Sequence, residues 1–403
     1  MEKMNISKSQ SALLSLLANN LFGAPLNLEE GIDFSEVFCE TRAQAVVLCA
    51  FQNYKNLPLD EKFRAELQSY IKSITLTNML CFKNHSRLHA LMEKNNIPYC
   101  AIKGAASAHY YPDPLMRSMG DVDFFVEGDG VDKALEIFDS MGFERNEMNH
   151  RYHVSMTKGN SHFELHFKPI GAYEGEVGEK IEECWRGICD KAELIDDGIV
   201  QCKIPETFTH GFILLTHLQS HLLSEGVGLR HICDWAVFAN RFSNEEFVEI
   251  FEQKLKKVGL FRLAQLLSLA SHRSFGMPYK AWMGEDFDTA DALFYDIISG
   301  GNFGRKDTQR GYEGLFISDK NTRKAKGNRI SHIFTSLNMI VDGHWKSAKK
   351  CKILYPVGWV FFSIRFLFRV ICGKRKANVV SVYQNSGKRK ELYESLNLFV
   401  PEE

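Results

Sequence analysis

The sequence lacks several patterns that would assign the chain to a special class of protein. Its ten cysteines form no CxxC pair, and none stands at zinc-finger spacing with histidines. The first apolar stretch is interrupted by Asn19 and Asn20 and shows no convincing cleavage site, which argues against a signal peptide. We therefore predict a cytoplasmic protein in which the cysteines are reduced and mostly buried as small hydrophobic residues.

Repeats and low-complexity tracts are also missing, which excludes a solenoid and a largely disordered chain. The length of 403 residues predicts two or three structural units. The net charge is −1, but Asp and Glu are missing between Gly343 and Lys390, where twelve Lys and Arg fall. This basic block predicts an anionic partner for the C-terminal segment.

The hydrophobic pattern divides the chain into four regions. Residues 1–95 read as helical, and residues 96–204 change to a strand–helix–strand–helix–hairpin pattern. Residues 205–342 are again helical, with a polar loop at 300–330, and residues 343–403 form a basic amphipathic segment. We therefore predict an α+β fold, in which a small mixed sheet is flanked by N-terminal and C-terminal helical regions.

Acidic residues in two strand-like runs predict a metal site. Asp121 and Asp123 are two residues apart in a strand, so their carboxylates point to the same side. Like charges this close repel unless a cation lies between them, and hard oxygen ligands suit Mg²⁺ or Mn²⁺. Glu164 becomes a third ligand if its alternating strand lies beside the first, and His166, on the same face, is predicted to line the site.

The run KG…YP…R…GDVDFFV, followed by FELHF, resembles the DNA polymerase beta-like nucleotidyltransferase superfamily, and especially its bacterial branch of uncharacterised nucleotidyltransferases. The resemblance covers about residues 97–168 and weakens towards about residue 240. It implies a nucleotidyltransferase core in the sheet region. It also implies that Asp121, Asp123 and Glu164 are catalytic metal ligands.

The resemblance also assigns the residues that meet the nucleotide. Gly104 corresponds to the glycine that opens a helix and lets the triphosphate approach the backbone. The superfamily commonly has Ser beside this glycine, whereas this chain has Lys103 before it and Ala105 after it. Lys103 is therefore predicted to replace the hydroxyl as a point charge, and Arg117 to clamp phosphate from the loop before the aspartates.

Three functions remain open on these features. The first is an enzyme that transfers a nucleoside monophosphate from an NTP, such as ATP, to an unknown acceptor and releases pyrophosphate. The second is a DxD-type glycosyltransferase that uses a sugar nucleotide, although the early glycine and the third acid argue against it. The third is a catalytically degenerate nucleotide-binding or scaffold module. Nucleic acid is disfavoured as a partner, because no platform of stacking aromatic residues is identifiable.

Two helical patterns in the third region carry polar residues. His210, His217 and His221 fall on one face of a helix, and HLQSH has the spacing of a zinc helix but lacks the acid of HExxH, which argues against a zinc hydrolase. An ordinary packed helix is the favoured interpretation, and a helix that lines the nucleotide cleft is the alternative. Arg230 and Asp234 are four residues apart and can pair along the next helix.

The apolar stretch from Tyr355 to Cys372 contains two arginines. Each arginine costs about 2.5–3.5 kcal/mol at a bilayer centre, so a membrane span is disfavoured. Arg365 and Arg369 share one face, which fits a helix lying on a membrane surface. We therefore predict peripheral binding to an anionic membrane surface through residues 343–390, with a helix docked on the protein itself as the alternative.

Overall fold

The architecture of the chain is α+β, with a mixed five-stranded sheet surrounded by helices. We describe it from a computed structural model. The structure describes residues 6–146, 152–169, 176–223, 226–307, 352–371 and 389–402, together with positions 310, 338, 341 and 345. Most of the predicted loop at 300–330 and of the basic block at 343–390 lies outside these residues.

The N-terminal region consists of helices whose ends follow local capping signals. The helices are α1 (Lys8–Phe22), α2 (Phe34–Ala43), α3 (Val47–Ala50) and α4 (Glu61–Lys94). Ser7 and Gln10 form a capping box at the start of α1, which ends at Gly23 in the left-handed conformation. The side chain of Asp60 caps the start of α4, and this 34-residue helix ends at Asn95.

The sheet follows the strand pattern of the second region. Its strands are β1 (Tyr99–Ala101), β2 (Val122–Val126), β3 (Glu144–Arg145), β4 (His153–Lys158) and β5 (Ser161–His166). They are arranged in the order β1-β2-β5-β4-β3, in which only the β2–β5 pair is parallel. The short helix α5 (Ala105–Ala108) and the helix α6 (Gly130–Ser140) connect the first strands. The crossover through α6 is what allows β5 to lie parallel to β2.

The two faces of the sheet are buried in two different apolar clusters. Tyr99 and Phe124 belong to a cluster formed with α4 and α6, whereas Cys100 and Phe125 belong to the larger cluster of the helical regions. This alternation follows from the two-residue period of a strand. Asp123 therefore shares the face of Phe125 and looks towards the helices. The same face carries the candidate site.

The helices after the sheet share one apolar core with the N-terminal helices. Leu13 and Leu17 of α1 lie in the same cluster as Trp235 and Leu267. The elements of this part are α7 (Glu176–Trp185), the hairpin β6 (Glu193–Asp196) and β7 (Gln201–Ile204), α8 (Thr207–Leu222), α9 (Leu229–Ala239), α10 (Asn244–Phe247), a π-helical turn (Val248–Glu252), α11 (Gln253–Lys257), α12 (Phe261–Phe275) and α13 (Phe287–Gly300). The helical regions on either side of the sheet in sequence thus meet in space.

The C-terminal part contains one long helix and a final segment packed on the helical core. The helix is α14 (Tyr355–Ile371). In the final segment, Leu396 and Phe399 are buried in the large cluster, and Arg389 lies 3.3 Å from the buried carboxylate of Asp296. The end of the predicted basic segment therefore packs into the protein. Among the described residues, no helix combines the length and the apolar character needed to cross a membrane.

Candidate active site

The parallel pairing of β2 with β5 brings three carboxylates together. In this register Asp123 lies directly opposite Glu164, and Asp121 stands just before β2. Carboxylate oxygens of Asp121, Asp123 and Glu164 all lie within 4.8 Å of one another. Asp123 is buried, Glu164 is half-buried and Asp121 is exposed. We call these three residues the carboxylate wall, because they form one side of a pocket. The strand that carries Glu164 therefore lies beside the strand that carries Asp123, which is the condition for Glu164 to join the site.

The pKa values of the three carboxyl groups are shifted in different directions because their neighbouring groups differ. The negative charge of Asp123 raises the pKa of Asp121 to about 6. Burial acts to raise the pKa of Asp123, but the Lys103 ammonium and the His166 imidazole hold it well below its ordinary value. Burial also acts upward on the pKa of Glu164, but the hydrogen bond with His166 and the charges of His153 and Lys103 together outweigh it, so the pKa is lowered. Among the three carboxyl groups, that of Asp121 is thus the one whose pKa is raised by repulsion between the negative charges.

Lys103 and His166 contact the same oxygen of Asp123. Nζ of Lys103 lies 2.8 Å and Nε2 of His166 lies 2.9 Å from Oδ1. His166 therefore contacts Asp123, but it is not among the residues that line the pocket, whereas Lys103 both lines the pocket and contacts the carboxylate. Because both contacts use Oδ1, Oδ2 of Asp123 can act with Asp121 and Glu164 as an all-oxygen donor set. This set fits a hard divalent cation.

Gly104 joins β1 to α5 in a conformation that favours glycine. Its φ is +62°, and a Cβ at this position would stand 2.7 Å from Nε2 of His85 on α4. That nitrogen accepts a hydrogen bond from the amide of Ala105 at 3.4 Å. Burial lowers the pKa of His85 to about 4, which keeps the imidazole neutral and able to accept. The glycine therefore lets the chain turn tightly between His85 and the pocket.

A buried asparagine on α4 fixes the loop that leads into β2. The amide of Asn78 donates to the carbonyls of Leu115 and Arg117 at 3.1 and 2.8 Å. Its Oδ1 accepts from the amide of Met119 at 2.9 Å. One side chain therefore satisfies three backbone groups of a loop that carries no regular hydrogen-bond ladder of its own. This clamp sets where β2, and with it Asp121 and Asp123, begins.

Arg117 forms a buried ion pair with Asp234 on α9. Nε and Nη2 of Arg117 each donate to a different oxygen of Asp234 at 2.8 Å, and the Tyr111 hydroxyl donates to Oδ1 at 2.8 Å. This bidentate pair ties α9 to the loop before the carboxylate wall. Arg117 was predicted to clamp phosphate, but two of its guanidinium nitrogens are thus already bound by Asp234. Asp234 pairs across the pocket with Arg117, and not with Arg230 along its own helix.

Helices α8 and α9 form the side of the pocket opposite the carboxylates. The pocket has a volume of about 570 Å³, and His217, His221 and His231 line it. We call these three residues the histidine wall. Arg230 also lines the pocket, with its guanidinium 5.8 Å from the ring of Phe303. Nε of Arg230 is buried and, among the described residues, meets no hydrogen-bond partner. The pocket therefore combines acidic, basic and imidazole groups.

Several residues of the site carry weak signals in the sequence. Asn78 and His85 lie among apolar positions of a long helix, and a polar residue on a buried face is the sign that could have found them. His231 follows Arg230 in a helix of mostly apolar residues, and only the packing of α9 against α8 shows that it joins His217 and His221. The chemistry of such residues depends on contacts distant in sequence.

A comparison with models of protein families assigns most of the chain to one family. A family model described as uncharacterised nucleotidyltransferase matches residues 30–276, which is more than half of the chain. This range contains the carboxylate wall, the loop before β2 and the helices of the histidine wall. No curated protein matches the chain. On the strength of the family match, the chain belongs to this family of uncharacterised nucleotidyltransferases.

Proposed function

We propose that the protein is a metal-dependent nucleotidyltransferase that transfers a nucleoside monophosphate from an NTP to an acceptor and releases pyrophosphate. The observation that carries the proposal is the convergence of Asp121, Asp123 and Glu164 from two neighbouring strands on one pocket. Membership of a nucleotidyltransferase family supports the class of reaction. The resemblance of the same residues to the DNA polymerase beta-like superfamily supports the use of a divalent metal.

The carboxylate wall would hold Mg²⁺ or Mn²⁺ in this reaction. Bound there, such a cation neutralises charge on the triphosphate and activates the attacking oxygen of the acceptor. His166 fixes the orientation of Asp123 through its hydrogen bond, and Lys103 limits the negative charge that the wall presents when it is empty of substrate. Asp121, at the exposed edge, is the ligand that an incoming nucleotide meets first.

Basic residues and a glycine would receive the phosphates. Lys103 lies beside the carboxylates, and Arg230 lies on the opposite side of the pocket with a buried nitrogen that has no partner among the described residues. Gly104 lines the pocket and, by making the tight turn beside His85, brings the backbone to the place where the triphosphate would bind. Arg117 adds positive charge to the pocket and, through Asp234, also positions the loop before β2.

Pyrophosphate release from each NTP, measured with Mg²⁺ or Mn²⁺ and a metabolite extract as the source of acceptor, tests the proposal. Mass spectrometry of the extract after incubation with labelled ATP identifies the modified acceptor. We expect activity from the wild type and none from Asp121→Asn/Asp123→Asn. Turnover of a UDP-sugar would instead support the glycosyltransferase. Nucleotide binding without turnover in any extract would support the degenerate module.

We further propose that α14 binds an anionic membrane surface. Four apolar side chains of α14 are exposed at helical spacing, namely Val357, Val360, Phe361 and Ile364, and Ile353 just before the helix is exposed as well. The other side of the helix faces the protein, because Trp359 donates to Asn338 and Gly358 packs against Val341. Arg365 is exposed beside the apolar stripe. An apolar stripe flanked by basic residues suits the interface of an anionic bilayer.

Flotation with lipid vesicles tests the membrane proposal. We expect the full chain to float with vesicles that contain phosphatidylglycerol and to float less at high salt, because surface attraction is screened. Val357→Glu/Phe361→Glu should abolish flotation. The matched change Leu76→Glu/Met79→Glu, at two exposed apolar positions of α4, should leave it intact. Equal flotation with neutral vesicles, or none with either, would overturn the proposal.

A further inference from the structure

The histidine wall gathers three imidazoles from two helices. His217 and His221 lie one turn apart on α8, and His231 lies on α9. The ring centroids are separated by 4.5 Å for His217 and His221, and by 5.5 and 5.6 Å from these two rings to His231. Each ring offers one nitrogen, and these three nitrogens all lie within 4.8 Å of one another. Three donors converge on one point.

The spacing of the donors is close to that of ligands around a tetrahedral ion. Two nitrogens bound at 2.0–2.1 Å in tetrahedral geometry are about 3.3 Å apart. Nε2 of His217 and Nε2 of His221 are joined by a hydrogen bond at 3.0 Å, which a metal ion bound by both nitrogens would replace. The two residues stand at i and i+4, the spacing by which a single helix face supplies two ligands. A small rotation of either ring would bring the pair to the coordination distance.

His231 supplies the second observation that points to a ligand. Its side chain is 5% exposed, yet both ring nitrogens are without a hydrogen-bond partner among the described residues. A buried polar group that is left unsatisfied destabilises the folded state. A bound ion would satisfy the nitrogen that faces the cluster.

His210, a buried histidine on one of the same helices, has different surroundings from those of His231. His210 of α8 is also buried with two nitrogens that have no partner among the described residues. Its ring, however, stacks on Tyr110 at 4.8 Å and packs on Phe238 at 5.3 Å. Among the described residues, His210 belongs to no group of three metal-ligating side chains. His210 is therefore an apolar-packed ring, whereas His231 is surrounded by other donors.

The charge of the pocket permits a second cation. Lys103 and Arg230 stand near the histidines and disfavour added positive charge. The pocket lining nevertheless contains four carboxylates against three Lys and Arg side chains. The charge of Asp123 acts on His221 in the opposite sense to these basic residues and favours added positive charge there.

We propose that His217, His221 and His231 form a second metal site, which binds a Zn²⁺-type transition ion and keeps its fourth coordination position open to the pocket. Three neutral imidazoles suit zinc and its neighbours rather than magnesium. Three protein ligands with one open position are typical of sites that bind water or a substrate group. The open position would take water or a Lewis-basic group of the molecule that occupies the pocket. The site does not depend on the proposed nucleotidyl transfer.

Metal binding to the full chain tests the proposal. After removal of metals with a chelator, we expect one Zn²⁺ per chain, measured by competition with a chromophoric chelator and not displaced by Mg²⁺. Replacement by Co²⁺ should give the intense visible absorption of a tetrahedral nitrogen site. His217→Ala and His231→Gln should each weaken Zn²⁺ binding by more than about 100-fold, because a direct ligand is lost.

Two control variants make the result specific. His210→Gln removes an equally buried histidine outside the cluster and should leave Zn²⁺ binding unchanged. Asp121→Asn should also leave it unchanged, because that residue belongs to the opposite wall. No stoichiometric Zn²⁺ on the wild type, or the weak Co²⁺ spectrum of an octahedral oxygen site, would overturn the proposal. These wild-type measurements decide the question even if a histidine variant fails to fold.

Discussion

The carboxylate wall and the histidine wall face one pocket but arise from different levels of structure. The carboxylates lie on two paired strands, where two-residue alternation and parallel register determine which side chains meet. The histidines lie on two helices, and His231 reaches its partners only because α9 packs against α8. Local pattern therefore determines the first wall, and tertiary packing determines the second. The contrast explains why the sequence indicates all three carboxylates of the first wall but only two of the three histidines of the second.

The two walls also differ in the ions that their donors select. Carboxylate oxygens are hard ligands that suit Mg²⁺, whereas neutral imidazoles are borderline ligands that suit Zn²⁺. The Arg117–Asp234 pair connects the walls, since it joins the loop before β2 to α9. A substitution of one ligand should therefore impair metal binding at its own wall alone. Loss of the Arg117–Asp234 pair should impair metal binding at both walls.

The largest effect is expected from Asp121→Asn, which acts on the carboxylate wall alone. Loss of a metal ligand removes several kcal/mol of transition-state stabilisation, so nucleotidyl transfer should fall by about 10⁴-fold. Stability should be retained or increase, because the substitution removes the repulsion that raises the pKa of Asp121. Initial rates of pyrophosphate release and thermal unfolding measure the two quantities. Unchanged transfer would show that this wall is not the catalytic site.

The next largest effect is expected from Arg117→Met, which breaks the connection between the walls. It leaves Asp234 buried without its ion-pair partner, which should lower the free energy of unfolding by about 3–5 kcal/mol. Urea denaturation measures the loss. Arg273→Met is the matched control, because its pair with Asp291 is partly exposed and should be worth less than about 1 kcal/mol. Similar losses in both variants would show that the buried pair has no special role.

Much of the sheet and of the carboxylate wall follows from sequence, because strand alternation is a local property. The alternating pattern predicts strands over residues 121–126, 151–156 and 162–167, and β2, β4 and β5 lie within two residues of these limits. Asp121 differs slightly, since it stands just before β2 rather than within it. The α+β class and the mixed sheet are confirmed. Local periodicity is sufficient here because one face of each strand is buried.

The contacts that connect distant parts of the chain could not be predicted in the same way. Arg117 and Asp234 are 117 residues apart, and a single sequence shows no signal that links them. The i to i+4 spacing favoured Arg230 as the partner of Asp234, but burial beside Arg117 and Tyr111 decides the pairing. Packing of α8 against α9 likewise assembles the histidine wall. Tertiary structure therefore overrides local spacing in these cases.

A smaller effect, confined to the carboxylate wall, is expected from Asn78→Ala. The substitution leaves two loop carbonyls and one amide without their partner, which should cost about 2–3 kcal/mol of stability. Nucleotidyl transfer should fall because the start of β2 shifts, while Zn²⁺ binding by the histidine wall should be unchanged. Thr77→Ala, at an exposed neighbouring position, should change stability by less than about 0.5 kcal/mol. Loss of Zn²⁺ binding in Asn78→Ala would contradict the independence of the walls.

The smallest stability effect is expected from Gly104→Ala, which separates backbone strain from close contact. Positive φ costs a non-glycine residue about 1–2 kcal/mol or more, and Gly128→Ala measures a cost of this kind at a position where a Cβ has open space. At Gly104 the Cβ also meets His85 at 2.7 Å, so the turn must shift. We expect about 2 kcal/mol of destabilisation there. Displacement of Lys103 should lower kcat/KM for the nucleotide by about 10–100-fold, whereas Gly128→Ala should leave it unchanged. Equal kcat/KM in the two variants would show that the turn at Gly104 does not position the nucleotide, and the carboxylate wall would then act through its metal ligands alone.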